Sequence, residues 1–150
     1  MCRANWLLLL CIIVLLLLAA PWLQAGEVVD DTGRTVALQQ PARRIITLAP
    51  HLTELLYEIG AGDLLVATVE YSDYPPQARS IARVGNFDNL NIETLLGYQP
   101  DLILAWHSGN NPWQLSTLEK LGLRIYRSEP GTLAVLPQTL ETVSYTHLRA

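Results

Sequence analysis

The stretch IITLAPHLTELLYEIGAGDLLVATVEYSDYPP, residues 45–76, decides the fold. Ile45, Ile46, Thr47 and Leu48 form a short apolar run that stops at Pro50, the pattern of a buried parallel strand. Leu52, Leu55, Leu56 and Ile59 then recur at i, i+3, i+4 and i+7, one stripe of an amphipathic helix. Gly60 and Gly62 follow the last periodic residue and are expected to close that helix in a left-handed cap. Residues 64–69 make a second apolar run, and Pro75-Pro76 forbids further strand pairing. The unit is therefore β-α-β. Tyr71 and Tyr74 fall on the loop at the carboxyl end of its second strand, the edge where open α/β sheets bind ligands.

Working outward toward the amino terminus, Arg43-Arg44 precede the first buried strand and read as solvated charges. Residues 27–38 read as a hairpin, with β-branched stretches flanking Asp31-Thr32-Gly33. Residues 1–25 have the layout of a secretory signal: Arg3, an unbroken apolar run over residues 6–20, and a small residue, Ala25, at the expected cleavage point. That run is short for a membrane span, which needs roughly 20 apolar residues, so a retained anchor is the alternative.

Toward the carboxyl terminus, residues 77–81 read as a loose turn and residues 83–90 as a loop carrying Phe87. Asn91 is a good N-cap for a short helix over residues 92–97, with Glu93 in its first turn. Residues 102–106 are a third buried strand ending at Trp106, followed by a turn containing His107. Pro112 opens a helix whose apolar positions are Trp113, Leu115, Leu118 and Leu121. Residues 123–126 suggest a fourth strand, and Leu133, Leu136 and Leu140 a last helical segment. Residues 143–150 continue neither pattern and read as a non-native or disordered tail. Strands alternating with helices predict an α/β fold, a mainly parallel sheet covered by helices on both faces, over residues 26–142.

Composition narrows the function. Without residues 1–25, Arg3 drops from the ten Lys/Arg, leaving nine against fourteen Asp/Glu, a formal charge of −5. A mildly acidic domain with no basic run is a poor nucleic-acid binder. Both cysteines, Cys2 and Cys11, lie in the export segment, so the remainder has neither disulfide nor thiolate chemistry.

The residues expected at the strand carboxyl ends are Pro50 and His51, then Tyr71 and Tyr74, then Trp106 and His107, with Phe87 on a neighbouring loop. This rim is aromatic and nearly neutral, which suits a large, flat, weakly charged ligand. His51 and His107 lack metal-ligand spacing, and no metal is expected. No G-x-S-x-G nucleophile motif is present, although Asp73 with His107 could serve a small exported α/β hydrolase-like enzyme. Gly60-Ala61-Gly62 closes a helix and makes a weak phosphate loop. A binding protein fits better than an enzyme, with no catalytic residue assigned.

The runs RIITLAPHLTELLYEIGAGDLL, YSDYPPQA, VGNFDNLNIETLL, PDLILAWHSGN and LEKLGL together resemble the periplasmic vitamin B12-binding proteins of ABC importers. The resemblance covers roughly Arg44 to Leu140 and implies the amino-terminal lobe of a two-lobe receptor bridged by one long helix. It implies cobalamin as ligand rather than a resident cofactor, an ABC permease–ATPase complex as partner, a periplasmic location, and a monomer when complete. Tyr71 then corresponds to a tyrosine packed on the corrin and Trp106 to a cleft tryptophan. Phe87 stands where a family member has tryptophan, and His107 where arginine can occur. Glu93 corresponds to a surface glutamate that docks on an arginine of the permease, while His51 is expected to contribute little. The resemblance also implies that the sequence is a piece of a longer gene. Haem or ferric-siderophore receptors of the same class are the alternative, since the VVDDTGRTV hairpin is common among the latter.

Overall fold

The computed structural model describes residues 26–129. The expected export segment, the helical segment expected after Glu129 and the tail at residues 143–150 lie outside them. Strands β1 (Gly26–Val29) and β2 (Thr35–Leu38) form the expected antiparallel hairpin, with Val28 opposite Val36. Asp30 closes its turn, its Oδ1 accepting from the Thr32 N–H at 2.9 Å and the Arg34 N–H at 2.9 Å. The turn then docks on the main sheet, where Asp31 accepts from the Glu129 N–H at 2.8 Å.

The main sheet contains β3 (Ile45–Thr47), β4 (Leu65–Thr68), β5 (Ala82–Arg83), β6 (Leu102–Trp106) and β7 (Ile125–Ser128). Its order is β5-β4-β3-β6-β7, every pair parallel. Helices α1 (Pro50–Glu58), α2 (Ile92–Gly97) and α3 (Pro112–Lys120) make three of the four crossovers, α1 helped by a 3₁₀ turn at Gly62–Leu64, and a 3₁₀ segment at Pro76–Ser80 joins β4 to β5.

The period of two along each strand builds two cores. Ile45, Leu102 and Leu104 face Leu52 and Leu56 of α1 together with Val28, Val36 and Leu38 of the hairpin. Ile46, Ile103 and Ala105 face Leu95 of α2 and Leu115 and Leu118 of α3. Both faces are covered, as the near-continuous apolar strands require. Among the described residues no helix is long and apolar enough to cross a membrane.

Four local expectations are corrected. Gly60 caps α1 with φ 77°, its N–H reaching Tyr57 O at 3.0 Å while the Ala61 N–H reaches Leu56 O at 2.9 Å. Gly62 has a different reason to be glycine, because a Cβ there would collide with the Tyr57 ring. Arg83, expected to open a loop, instead joins Ala82 in the edge strand β5, too short and half-buried to show periodicity. The last strand starts at Ile125, not Leu123, because Leu123 is consumed in capping α3: its N–H bonds Leu118 O at 3.2 Å past Gly122 at φ 84°. Finally, Trp113 and Leu121 lie off the apolar stripe of α3, 72% and 52% exposed, since Leu115 and Leu118 alone carry its burial.

Candidate functional site

Parallel pairing places all five carboxyl ends on one edge, as the aromatic rim requires. The chain leaves central β3 for β4 and β5 on one side, then returns for β6 and β7 on the other. The loops after β3 and β6 therefore diverge at a topological switch point, where such sheets open a crevice. Sequence alone gave these loops one edge; the strand order makes them neighbours.

At this point His51 and Trp106 meet. Ala49 is extended at φ −151° and ψ 148°, the conformation forced before proline, and Pro50 starts α1. This turn carries the His51 ring to the Trp106 indole, centroids 5.4 Å apart and planes at 87°, an edge-to-face contact. His51 Nε2 and Trp106 Nε1 are both buried and without a hydrogen-bond partner among the described residues. Burial holds the His51 pKa below its ordinary value, against the smaller opposing pull of Glu54 and Glu129. His51 thus contacts Trp106 directly.

The Tyr71-Ser72-Asp73-Tyr74 turn is anchored from below. Thr47, Thr53 and Thr68 hydroxyls form a closed triangle of 2.6, 2.8 and 2.7 Å, and Thr68 donates to Ser72 at 2.9 Å. All four residues are buried. Drawing Ser72 inward turns its neighbours out: Tyr71, at φ 67°, is 75% exposed and Tyr74 is 66% exposed. Arg83 braces the same turn, donating to Ser72 O at 2.9 Å and pairing with Asp73 at 3.3 Å. That engages the acid of the postulated Asp73–His107 pair, and β3 lies between β4, which leads to Asp73, and β6, which leads to exposed His107.

Phe87, 45% exposed, sits on a loop folded by Asn86, whose Oδ1 accepts from the Asp88 N–H at 3.0 Å and the Asn89 N–H at 2.7 Å. Glu93 is exposed in the first turn of α2, behind an Asn91 cap that accepts from the Thr94 N–H at 2.9 Å. The Leu90 N–H donates to Gln114 at 3.2 Å, which ties the approach to α2 against the first turn of α3. Exposed Trp113 therefore joins this end of the molecule, a residue sequence periodicity had assigned to packing. Among the described residues no group of three His, Cys, Asp or Glu side chains could hold a metal ion. The arrangement can stack, bury and hydrogen-bond a flat ligand.

A family model described as periplasmic binding protein matches residues 45–125. The vitamin B12-binding protein of Vibrio cholerae serotype O1 is 51% identical over 114 residues, 76% of this chain and 41% of that protein. The crystal structure of the periplasmic vitamin B12 binding protein BtuF of Vibrio cholerae matches with a TM-score of 0.63, covering 70% of this chain and 41% of that one. The periplasmic heme-binding protein RhuT from Roseiflexus, 17% identical with a TM-score of 0.59 and covering 70% of this chain and 44% of that one, shares the fold. The chain spans about two-fifths of the length of the curated relatives it matches. It belongs to the periplasmic binding protein family.

Proposed function

We propose that this chain supplies one lobe of a receptor that captures cobalamin in the periplasm and delivers it to an ABC permease–ATPase complex. The observation that carries the reading is the rim: Tyr71, Tyr74, Phe87 and Trp106 stand on the carboxyl edge, with the indole and imidazole nitrogens of Trp106 and His51 unpaired among the described residues. Cobalamin brings a broad corrin face, peripheral carboxamides and a cobalt already coordinated by its own groups. It therefore needs stacking surface and hydrogen bonds rather than a protein metal ligand. Pro50 and His107 flank the platform in this reading. The 51% identity to a vitamin B12-binding protein favours cobalamin over haem, whose receptors here share only the fold. A ligand gripped on an open platform needs a second surface, which a second lobe provides. Residues 1–25 act as the cleaved export signal, and the complete protein works as a monomer without nucleic acid.

Placing residues 26–129 into the Vibrio cholerae relative in place of its matching lobe tests this reading. The chimera is expected to bind cobalamin, and Trp106→Ala to weaken it by roughly tenfold or more, from lost burial plus about 0.5–1.5 kcal/mol of aromatic contact. A chimera that prefers haem, or a Trp106→Ala form that binds unchanged, sinks the assignment.

Glu93 serves delivery rather than capture in this reading. An exposed carboxylate is worth only about 0–1 kcal/mol to the fold, yet opposite an arginine it can set docking orientation. Glu93→Ala in the chimera is expected to keep cobalamin affinity and weaken transporter association. Lost cobalamin binding in that variant would refute the role.

A further inference from the structure

Asn110, on the turn between β6 and α3, is 3% exposed. Its Oδ1 accepts from the Trp106 N–H at 2.7 Å, while its Nδ2 donates to Leu48 O at 2.8 Å and to Phe87 O at 2.7 Å. Its own backbone N–H returns to Trp106 O at 2.9 Å. One carboxamide thus satisfies the backbone of three rim segments: the exit of β3 just before Ala49-Pro50-His51, the Phe87 loop, and Trp106 itself. The demand is specific. Aspartate would supply the acceptor but neither donor, serine is too short, and glutamine adds a methylene to a closed site. Gly109 complements this hold, because the Trp106 ring occupies the space a Cβ at that position would need.

We propose that Asn110 is the positioning residue of the rim. It sets the spacing of Phe87, the His51 turn and Trp106 so that a flat ligand meets them together. This rests on the rim being the ligand surface, and Asn110 acts through these neighbours rather than by touching ligand.

Phe87 is the single phenylalanine of the chain, so biosynthetic fluorophenylalanine reports on it alone by ¹⁹F NMR. Asn110→Asp keeps the acceptor for Trp106 and removes both donors. In a folded variant the Phe87 resonance is expected to shift or broaden. In the chimera, a cobalamin titration should show Asn110→Asp weakening affinity roughly tenfold or more, as expected when a buried hydrogen-bonded anchor is lost. An unchanged resonance with an unchanged titration overturns the proposal. If the variant does not fold, the unaltered chain decides: the Asn110 carboxamide protons must exchange slowly with solvent, and exchange as fast as at exposed Asn89 overturns it. A Phe87 resonance that responds to Asn110→Asp, with a chimera that never binds cobalamin, supports the anchor and removes the ligand reading.

Discussion

At the amino end of the five-stranded sheet, charged groups satisfy the chain itself. Asp101 accepts from the Arg43 and Arg44 N–H groups at 2.8 and 2.9 Å, and the Arg44 guanidinium donates twice to Tyr98 O at 2.9 and 2.7 Å. The adjoining hollow of about 390 Å³ is lined by Arg43, Arg44, Asp101 and Arg124. At the carboxyl end the same strands lead into exposed aromatics and ring nitrogens with no partner among the described residues. One edge closes its backbone; the other leaves aromatic side chains exposed. The difference teaches that Arg43-Arg44, solvated charges by sequence, is committed at its backbone to structure, whereas the tyrosine turn leaves Tyr71 and Tyr74 exposed.

The largest expected effect comes from the hydroxyl cluster that joins core to rim. Thr68 is bonded to Thr47, Thr53 and Ser72 at once. Thr68→Val keeps the shape, removes three hydrogen bonds and leaves Ser72 without its hydroxyl partner while Thr47 and Thr53 keep each other, which should cost about 2–3 kcal/mol in urea unfolding. Thr68→Ser restores the hydroxyl and should recover most of that loss. Equal destabilisation by both would assign the site to methyl packing instead and cut the link between Ser72 and the outward Tyr71.

A paired substitution sharpens the comparison of the two edges. Asp101→Ala should lower stability by about 1–2 kcal/mol, from the loss of two hydrogen bonds to a charged acceptor, with cobalamin affinity in the chimera unchanged. Tyr71→Ala should do the reverse, leaving stability within about 0.5 kcal/mol and weakening cobalamin about tenfold. Calorimetry on both variants checks it. If either substitution moves both quantities alike, the division of labour between the edges is wrong.

What sequence could show follows from the range of the interactions. The stripe of Leu52 and Leu56, the strands at Ile45 and Leu102, and the Asn91 cap are set by neighbours within a turn or two, and periodicity exposes them. β5 is two residues long, and Leu123 looks like strand until its helix cap is seen. The rim membership of Tyr71, Phe87 and Trp106 follows from alternation of strands and helices. Their organisation does not: Asn110 reaches chain segments 62 and 23 residues away. The His51–Trp106 contact likewise exists only because β6 returns beside β3. A turn asparagine carries no local mark of such bonds.

The smallest expected effect is a pH dependence that separates rim from scaffold. Burial lowers the His51 pKa despite Glu54 and Glu129. As pH falls through about 6.5, the unperturbed histidine value, the unfolded chain takes up this proton before the folded one does. The stabilising contribution is therefore full above that value and declines as pH falls toward the lower folded pKa. Because the ring supports Trp106, cobalamin affinity should decline over the same range. The scaffold carboxylate behaves in another window. Burial would raise the Glu119 pKa, but hydrogen bonds from Arg34 and Arg127 outweigh it and hold it below the ordinary carboxylate value. Its contribution is present above the unfolded carboxylate pKa and disappears only as pH falls through the lower folded one, well below the histidine range. Thermal melts and cobalamin titrations of the chimera between pH 7.5 and pH 5.5 should thus show a shallow parallel decline that His51→Gln flattens. A decline that survives His51→Gln places the proton elsewhere and leaves the His51–Trp106 contact a packing feature alone.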